Sequence, residues 1–185
     1  MNPSRNLFIV GATGAGKTSI GRRLAVHYEL PFIDIDQEIE RVCGVDVSTV
    51  FQIEGEAGFR QRETCAIDEC SQRGGVIMAT GAGAVLAARN RALLAAHGYV
   101  VWLQTSVEQQ LERLERDHLR PLLQVADRHG RLQAMAQIRE PLYRDLADLA
   151  VPGEHASVAS ATERCIALID RHWQRHLLPS SKRTA

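Results

Sequence analysis

Nine consecutive residues near the N-terminus have the composition and spacing of a phosphate-binding loop. The segment Gly11-Ala12-Thr13-Gly14-Ala15-Gly16-Lys17-Thr18-Ser19 fits the pattern G-x-x-x-x-G-K-[ST]. Its glycines let the backbone turn tightly and bring N–H groups close to phosphate oxygens. Lys17 is placed to reach the β- and γ-phosphates, and the Thr18 hydroxyl to ligate Mg²⁺. We expect the nucleotide contacts at Gly14, Ala15, Gly16, Lys17, Thr18 and Ser19.

The segments on both sides of this loop match the strand and the helix that flank a phosphate-binding loop. An apolar run at 7–10 predicts a strand before it, and an amphipathic segment at 20–26 predicts a helix after it. The chain has two lysines, Lys17 and Lys182, so the loop holds a compact point charge in a protein that otherwise uses arginine. The alternative is a glycine-rich turn between a strand and a helix with an incidental lysine.

The composition is that of an ordinary globular protein. The 185 residues are 45% hydrophobic and 24% charged, which predicts one domain with a real core. A net charge of zero gives no argument for a nucleic-acid or membrane partner, and no apolar run is long enough to span a bilayer. The four cysteines match no zinc pattern. We therefore expect a cytoplasmic protein that binds neither nucleic acid nor membrane.

Strand-like and helical patterns alternate along the chain, which predicts an α/β fold with a parallel sheet covered on both faces. The predicted strands are residues 7–10, 31–35, 76–79, 99–103 and 149–151. The predicted helices are residues 17–28, 37–43, 47–53, 56–73, 87–96, 106–116, 132–148 and 159–175. Ligands of such sheets bind at the carboxyl ends of the strands, so the segments that follow the strands are the candidate site.

Two carboxylates, Asp34 and Asp36, follow the second predicted strand. At positions i and i+2 of an extended segment they point to the same side. Beside a phosphate loop, one could support Mg²⁺ and the other could hold a substrate hydroxyl. The alternative is a solvated strand end in which Asp36 caps the next helix.

Two further segments could approach a ligand. Arg60 lies near the start of a predicted helix, where the helix dipole disfavours a cation, and it is three residues from Glu63. A surface arginine paired with a carboxylate is the alternative. The small residues Thr80-Gly81-Ala82-Gly83 follow the third strand and would let a ligand reach backbone N–H groups, or they form only a tight turn.

The segment after the fourth strand is rich in arginine. Ser106 and Gln109 predict a capping box at the start of a helix that contains Arg113. Pro121 stops that helix, and the polar residues around Arg120 suggest a mobile lid whose arginines neutralise a transferring phosphoryl group. A solvated run of charges is the alternative. Farther on, Arg139 precedes Pro141, where the backbone must leave or kink the helix.

Together these motifs resemble the shikimate kinase family over roughly residues 6–173. The resemblance rests on the phosphate loop, the two aspartates, Phe59-Arg60 with Glu63, the glycine-rich turn, Arg120-Pro121-Leu122-Leu123, and Arg139 ahead of Pro141-Leu142-Tyr143. It implies a three-layer P-loop kinase fold with a central five-stranded parallel sheet. It also implies one domain at 1–176, with a lid at about 113–128 and a substrate-binding part at about 36–63. We expect the tail at 177–185 to be disordered, because it is polar and contains Pro, Ser, Lys and Arg.

The resemblance also implies a reaction and roles for the residues. ATP and shikimate would give ADP and shikimate 3-phosphate in aromatic amino acid biosynthesis, with Mg²⁺ and in a monomer. Asp36, Arg60, Ala82 and Arg139 would bind shikimate, Asp34 would support Mg²⁺ from beyond its direct ligands, and Arg113 would pack on adenine. The catalytic residues would be Lys17, Asp36 and Arg120.

Two positions depart from the family pattern. Ala82 stands where the family has the middle of three glycines, and Ala12-Thr13 stand where it often has Pro-Met. An alanine costs about 1 kcal/mol against glycine if its φ must be positive, and little otherwise. Another small-molecule kinase of the same fold, such as a gluconate kinase, and a non-catalytic nucleotide-binding module remain the alternatives.

Overall fold

A five-stranded parallel sheet forms the centre of the molecule. The computed structural model describes residues 4–115, 125, 127–153 and 157–174. The strands are β1 (Leu7–Gly11), β2 (Phe32–Asp34), β3 (Ile77–Ala79), β4 (Tyr99–Leu103) and β5 (Leu149–Val151). They lie in the order β2-β3-β1-β4-β5, and all neighbouring pairs are parallel. The predicted α/β fold with a five-stranded parallel sheet is confirmed.

Helices cover both faces of this sheet. They are α1 (Lys17–Tyr28), α2 (Ile35–Cys43), α3 (Val47–Ser71), α4 (Ala88–His97), α5 (Val107–Arg113), α6 (Arg128–Leu146) and α7 (Val158–His172). Because side chains alternate along a strand, β1 supplies both layers. Leu7 and Ile9 pack with residues of α1 and α7, and Phe8 and Val10 pack with residues of α2, α3, α4 and α6. Burial on both faces explains the uninterrupted apolar run of β1.

Most of the helices differ from their predicted bounds, and α3, α5 and α6 are examples. The helices predicted at 47–53 and 56–73 form one element, α3, interrupted at Gly55, whose φ of 67° and ψ of −175° are not helical. Helix α5 ends at Arg113, three residues before the predicted end. Helix α6 begins at Arg128 and continues through Pro141 to Leu146.

Two predicted segments fall largely or wholly outside the described residues. The lid expected at 113–128 includes Arg120, which is not described, and the tail expected at 177–185 is not described either. Within the described ranges, no helix combines the length and apolar character needed to cross a membrane.

Candidate active site

The phosphate loop joins β1 directly to α1 and depends on glycine at three positions. Gly11, Gly14 and Gly16 have φ values of 145°, 78° and 86°, which side-chain-bearing residues rarely adopt. A Cβ on Gly11 would lie 2.5 Å from the carbonyl oxygen of Leu103. Gly16 is the N-cap residue of α1 and provides no capping side chain, so the first N–H groups of the helix remain available for an anion.

Lys17 is held over the loop by backbone carbonyls. Its Nζ donates hydrogen bonds to the carbonyl oxygens of Gly11 and Ala12, both at 2.9 Å. The ammonium group therefore lies at the loop, where phosphate oxygens can exchange with these carbonyl acceptors.

Asp34 organises the hydroxyl and carboxylate groups opposite the loop. Its Oδ2 accepts a hydrogen bond from Thr18 Oγ1 at 2.7 Å, and its Oδ1 accepts one from the Asp36 backbone N–H at 3.1 Å. Helix α2 begins at Ile35, so Asp34 is its N-cap and Asp36 lies in its first turn. The prediction of an extended segment carrying both carboxylates is therefore wrong, as is the alternative in which Asp36 is the cap.

The structure brings most of the predicted site residues around one cavity of about 310 Å³. Its walls come from the loop, from the start of α2, from the turn after β3 and from α5. The lining residues are Gly14, Gly16, Lys17, Thr18, Ser19, Asp34, Asp36, Thr80, Gly81, Ala82 and Arg113. A phosphate-binding end and an acceptor end with a carboxylate therefore share one space.

Arg60 and the buried Glu63 form an ion pair beside this cavity. Arg60 Nη1 donates to Glu63 Oε2 at 2.7 Å, and Glu63 is 0% exposed. Burial raises the pKa of Glu63, and the positive charge of Arg60 opposes that shift. Burial by itself would lower the pKa of Arg60, but the carboxylates of Glu63 and Glu56 raise it. Glu63 was recognised in the sequence only as a partner of Arg60, and its i, i+3 spacing was the available signal.

The turn at residues 80–83, called the glycine turn below, lies directly under this ion pair. A Cβ on Gly81 would approach Glu63 Oε1 to 2.3 Å, and one on Gly83 would approach Arg60 Nη2 to 2.3 Å. Ala82 is not strained, because among the described non-glycine residues only Glu29 has a positive φ. The alanine therefore occupies the one position of the three at which a side chain fits.

Arg139 is a buried cation on α6. It is 8% exposed, and among the described residues no carboxylate lies within ion-pair distance of it. Burial lowers the pKa of Arg139, and the charge of Arg60 lowers it further although Tyr143 acts in the opposite direction. A buried guanidinium of this kind is suited to an anionic ligand.

Arg113 lies at the boundary between two cavities. Its Nη1 donates to the Gly14 carbonyl at 3.1 Å, and it lines both the cavity described above and a second one of about 360 Å³. The second cavity extends from the loop to the segment after β5, which contains Pro152 and Gly153. This cavity adjoins the loop at Gly14, Ala15 and Gly16.

A phosphate loop that shares a cavity with an acceptor pocket defines a nucleotide-dependent kinase of small molecules. The family model "Shikimate kinase" matches residues 13–170. A shikimate kinase of Stenotrophomonas maltophilia (strain K279a) is 47% identical over 175 residues, which cover 95% of this chain and 97% of that protein. A solved structure of shikimate kinase from Acinetobacter baumannii in complex with shikimate superposes with a TM-score of 0.87 at 42% identity, covering 90% of this chain and 93% of that one. The chain belongs to the shikimate kinase family, and the phosphorylation of shikimate is its reaction.

A gluconate kinase was the alternative within the same fold. A gluconokinase from Sinorhizobium meliloti superposes with a TM-score of 0.60 at 18% identity, covering 91% of this chain and 93% of that one. That likeness shows the shared fold alone.

The glycine turn yields a paired prediction for Ala82 and Gly81. We expect Ala82→Gly to change the KM for shikimate less than about twofold, because Ala82 has no strained φ to relieve. We expect Gly81→Ala to raise that KM at least about tenfold, since its Cβ would displace the Glu63 carboxylate. Steady-state kinetics on both variants check this, and equal KM values for the two would contradict it.

Proposed function

We propose that this chain transfers the γ-phosphoryl group of ATP to the 3-hydroxyl of shikimate, with Mg²⁺ bound beside Thr18 and Asp34. One observation carries the proposal: Asp36 and the glycine turn line the same cavity as Lys17 and Thr18. A hydroxyl held by Asp36 would therefore share one cavity with a phosphate held by the loop.

Arg60 and Arg139 are proposed to bind the carboxylate of shikimate. Arginine presents paired N–H groups that match the two oxygens of a carboxylate. Arg60 is oriented by Glu63, and Arg139 is buried without an ion-pair partner among the described residues. The positive charge of Arg60 also lowers the pKa of Arg139, and an anion bound between the two guanidinium groups would relieve that repulsion.

The loop is proposed to bind the phosphates of ATP and the second cavity its base. The N-terminus of α1 and Lys17 offer N–H groups and positive charge to the phosphates. Arg113 would pack on adenine, since it borders the cavity that continues from the loop. The role of Arg120 on the transferring phosphate stays a prediction, because that residue lies outside the described ranges.

The side chains at the loop fit Mg²⁺. Thr18 and Asp34 supply a hydroxyl and a carboxylate, the hard oxygen groups that this ion prefers. Among the described residues there is no cluster of three or more His, Cys, Asp or Glu side chains. That agrees with an ion held by few protein groups together with phosphate and water, where it would neutralise phosphate charge.

The chemistry proposed for the protein is positioning combined with charge stabilisation. Asp36 would orient the attacking hydroxyl and accept its proton, while Lys17 would stabilise the negative charge on the phosphoryl oxygens. We propose further that the protein acts as a monomer. We also propose that residues 1–176 form a single domain and that the protein is located in the cytoplasm.

A coupled assay of ADP release tests the activity directly. We expect release from ATP to require both shikimate and Mg²⁺, and to stay at background with gluconate in place of shikimate. The proposal would be contradicted if ADP were released with gluconate but not with shikimate. It would also be contradicted if the protein bound nucleotide but released no ADP when shikimate was added.

The variant Arg139→Lys tests the carboxylate site. We expect the KM for shikimate to rise at least about tenfold, because a paired donor becomes a point charge, and the KM for ATP to stay within about twofold. Arg144→Lys, an exposed change on the same helix, is the control. An unchanged KM for shikimate would remove Arg139 from the site.

The variant Asp36→Asn tests proton acceptance. We expect kcat to fall at least about a hundredfold, because the amide cannot take the proton of the attacking hydroxyl. Asp46→Asn, a substitution at the exposed N-cap of α3, serves as the control and should retain normal kcat. Wild-type kinetics in Asp36→Asn would show that Asp36 has no such role.

A further inference from the structure

Tyr143 connects two parts of the shikimate site that come from distant parts of the sequence. Its hydroxyl donates a hydrogen bond of 2.6 Å to the carbonyl oxygen of Ala82, across 61 positions of the chain. Ala82 lies in the glycine turn, and Tyr143 lies on α6 one helical turn after Arg139. Residues four apart on a helix share a face, so Arg139 and the Tyr143 hydroxyl belong to the same side of α6.

The carbonyls on either side of Ala82 are held locally. The Ala84 N–H donates to the Gly81 carbonyl at 3.1 Å, and the Leu86 N–H donates to the Gly83 carbonyl at 3.0 Å. Thr80 ties the beginning of the turn to β1, because its N–H and its hydroxyl donate to the Ile9 carbonyl at 3.1 and 3.3 Å. The bond from Tyr143 to the Ala82 carbonyl links the middle of the turn to α6.

Tyr143 is itself firmly placed. It is 1% exposed, and its ring stacks on Trp102 of β4 with centroids 5.8 Å apart and planes inclined by 25°. Burial raises the pKa of Tyr143, so the phenol stays protonated and its hydroxyl can donate at any physiological pH. Tyr143 therefore links the turn to α6 through one rigid side chain, in addition to the bonds from Thr80 to β1.

The glycine turn also limits where the Arg60 side chain can lie. The Arg60 guanidinium packs on Gly83 so closely that a single added Cβ would meet three of its atoms within 2.6 Å. A shift of the turn would therefore move Arg60 relative to Arg139.

We propose that Tyr143 is a positioning residue for shikimate: its hydroxyl holds the glycine turn at a fixed distance from α6, so that Arg60 and Arg139 keep the spacing that one carboxylate requires. This inference rests on the carboxylate-binding roles proposed above. Tyr143 is not expected to touch the reacting atoms, so its loss should weaken shikimate binding more than it slows phosphoryl transfer.

The variant Tyr143→Phe removes the hydroxyl and keeps the ring. We expect the KM for shikimate to rise about tenfold, the change that loss of one buried hydrogen bond of about 1.4 kcal/mol produces. We expect the KM for ATP to stay within about twofold and kcat within about threefold, since the phosphate loop does not depend on this bond. Tyr28→Phe is the matched control, because it removes a tyrosine hydroxyl that donates to Asp170 at 2.8 Å.

A second pair of variants tests the contact between the glycine turn and Arg60. Gly83→Ala should also raise the KM for shikimate selectively, because its Cβ would displace Arg60. Gly98→Ala is its control: a Cβ there would lie 2.2 Å from the Phe8 ring, so it should lower the melting temperature without a selective effect on shikimate. Gly83→Ala shows the size of the effect when Arg60 is displaced directly, and a Tyr143→Phe variant that is less stable but has normal KM values for both substrates would overturn the positioning role.

The results separate this inference from the proposed function. A selective rise in the KM for shikimate supports the positioning role. An unchanged KM for shikimate, or equal rises for shikimate and ATP together with a lower melting temperature, overturns it. If the wild-type chain phosphorylates shikimate and Arg139→Lys is defective while Tyr143→Phe is normal, only the role of Tyr143 fails.

Discussion

The acceptor side of this site depends on one ion pair, Arg60 with the buried Glu63. A carboxylate that is fully removed from water needs a positive partner, and removing that partner costs about 3–5 kcal/mol. The pair therefore holds both of its side chains in place, and they lie against the backbone of the glycine turn. Gly81 and Gly83 lack side chains because Glu63 and Arg60 occupy the space that a Cβ would need. The backbone of the turn and the side chains of the ion pair therefore share one space, and neither can change without the other.

The donor side depends on a different constraint, the conformation of the phosphate loop. Three glycines with positive φ carry the chain from β1 into α1 within a few residues. Their cost is conformational entropy that glycine loses on folding, and the gain is an unobstructed row of N–H groups at a helix N-terminus. Because β1 is the central strand and is paired on both sides, the sheet provides a rigid support for this loop.

The features that were predictable from sequence are those whose cause is local. The phosphate loop follows from residue types at fixed spacing, and the capping box of Ser106 and Gln109 follows from its own four residues. The end of β2 was not predictable in this way, because it depends on pairing with β3, in which Asp34 lies opposite Ala79. That pairing decides that Asp34 caps α2 and that Asp36 is helical. The bond between Tyr143 and Ala82 joins residues 61 positions apart and leaves no periodic signal in the sequence.

The charges of the acceptor site explain why its two arginines have different surroundings. Arg60 is neutralised by Glu63, whereas Arg139 has no ion-pair partner among the described residues, and the charge of Arg60 still lowers its pKa. Arg60 also contacts the half-exposed Glu56, so of these two arginines the one left without an ion-pair partner in the described part of the chain is Arg139. Burial disfavours the charged form of such a guanidinium. A carboxylate from a ligand would offset that cost, so the binding of an acid completes the charge balance around Arg139.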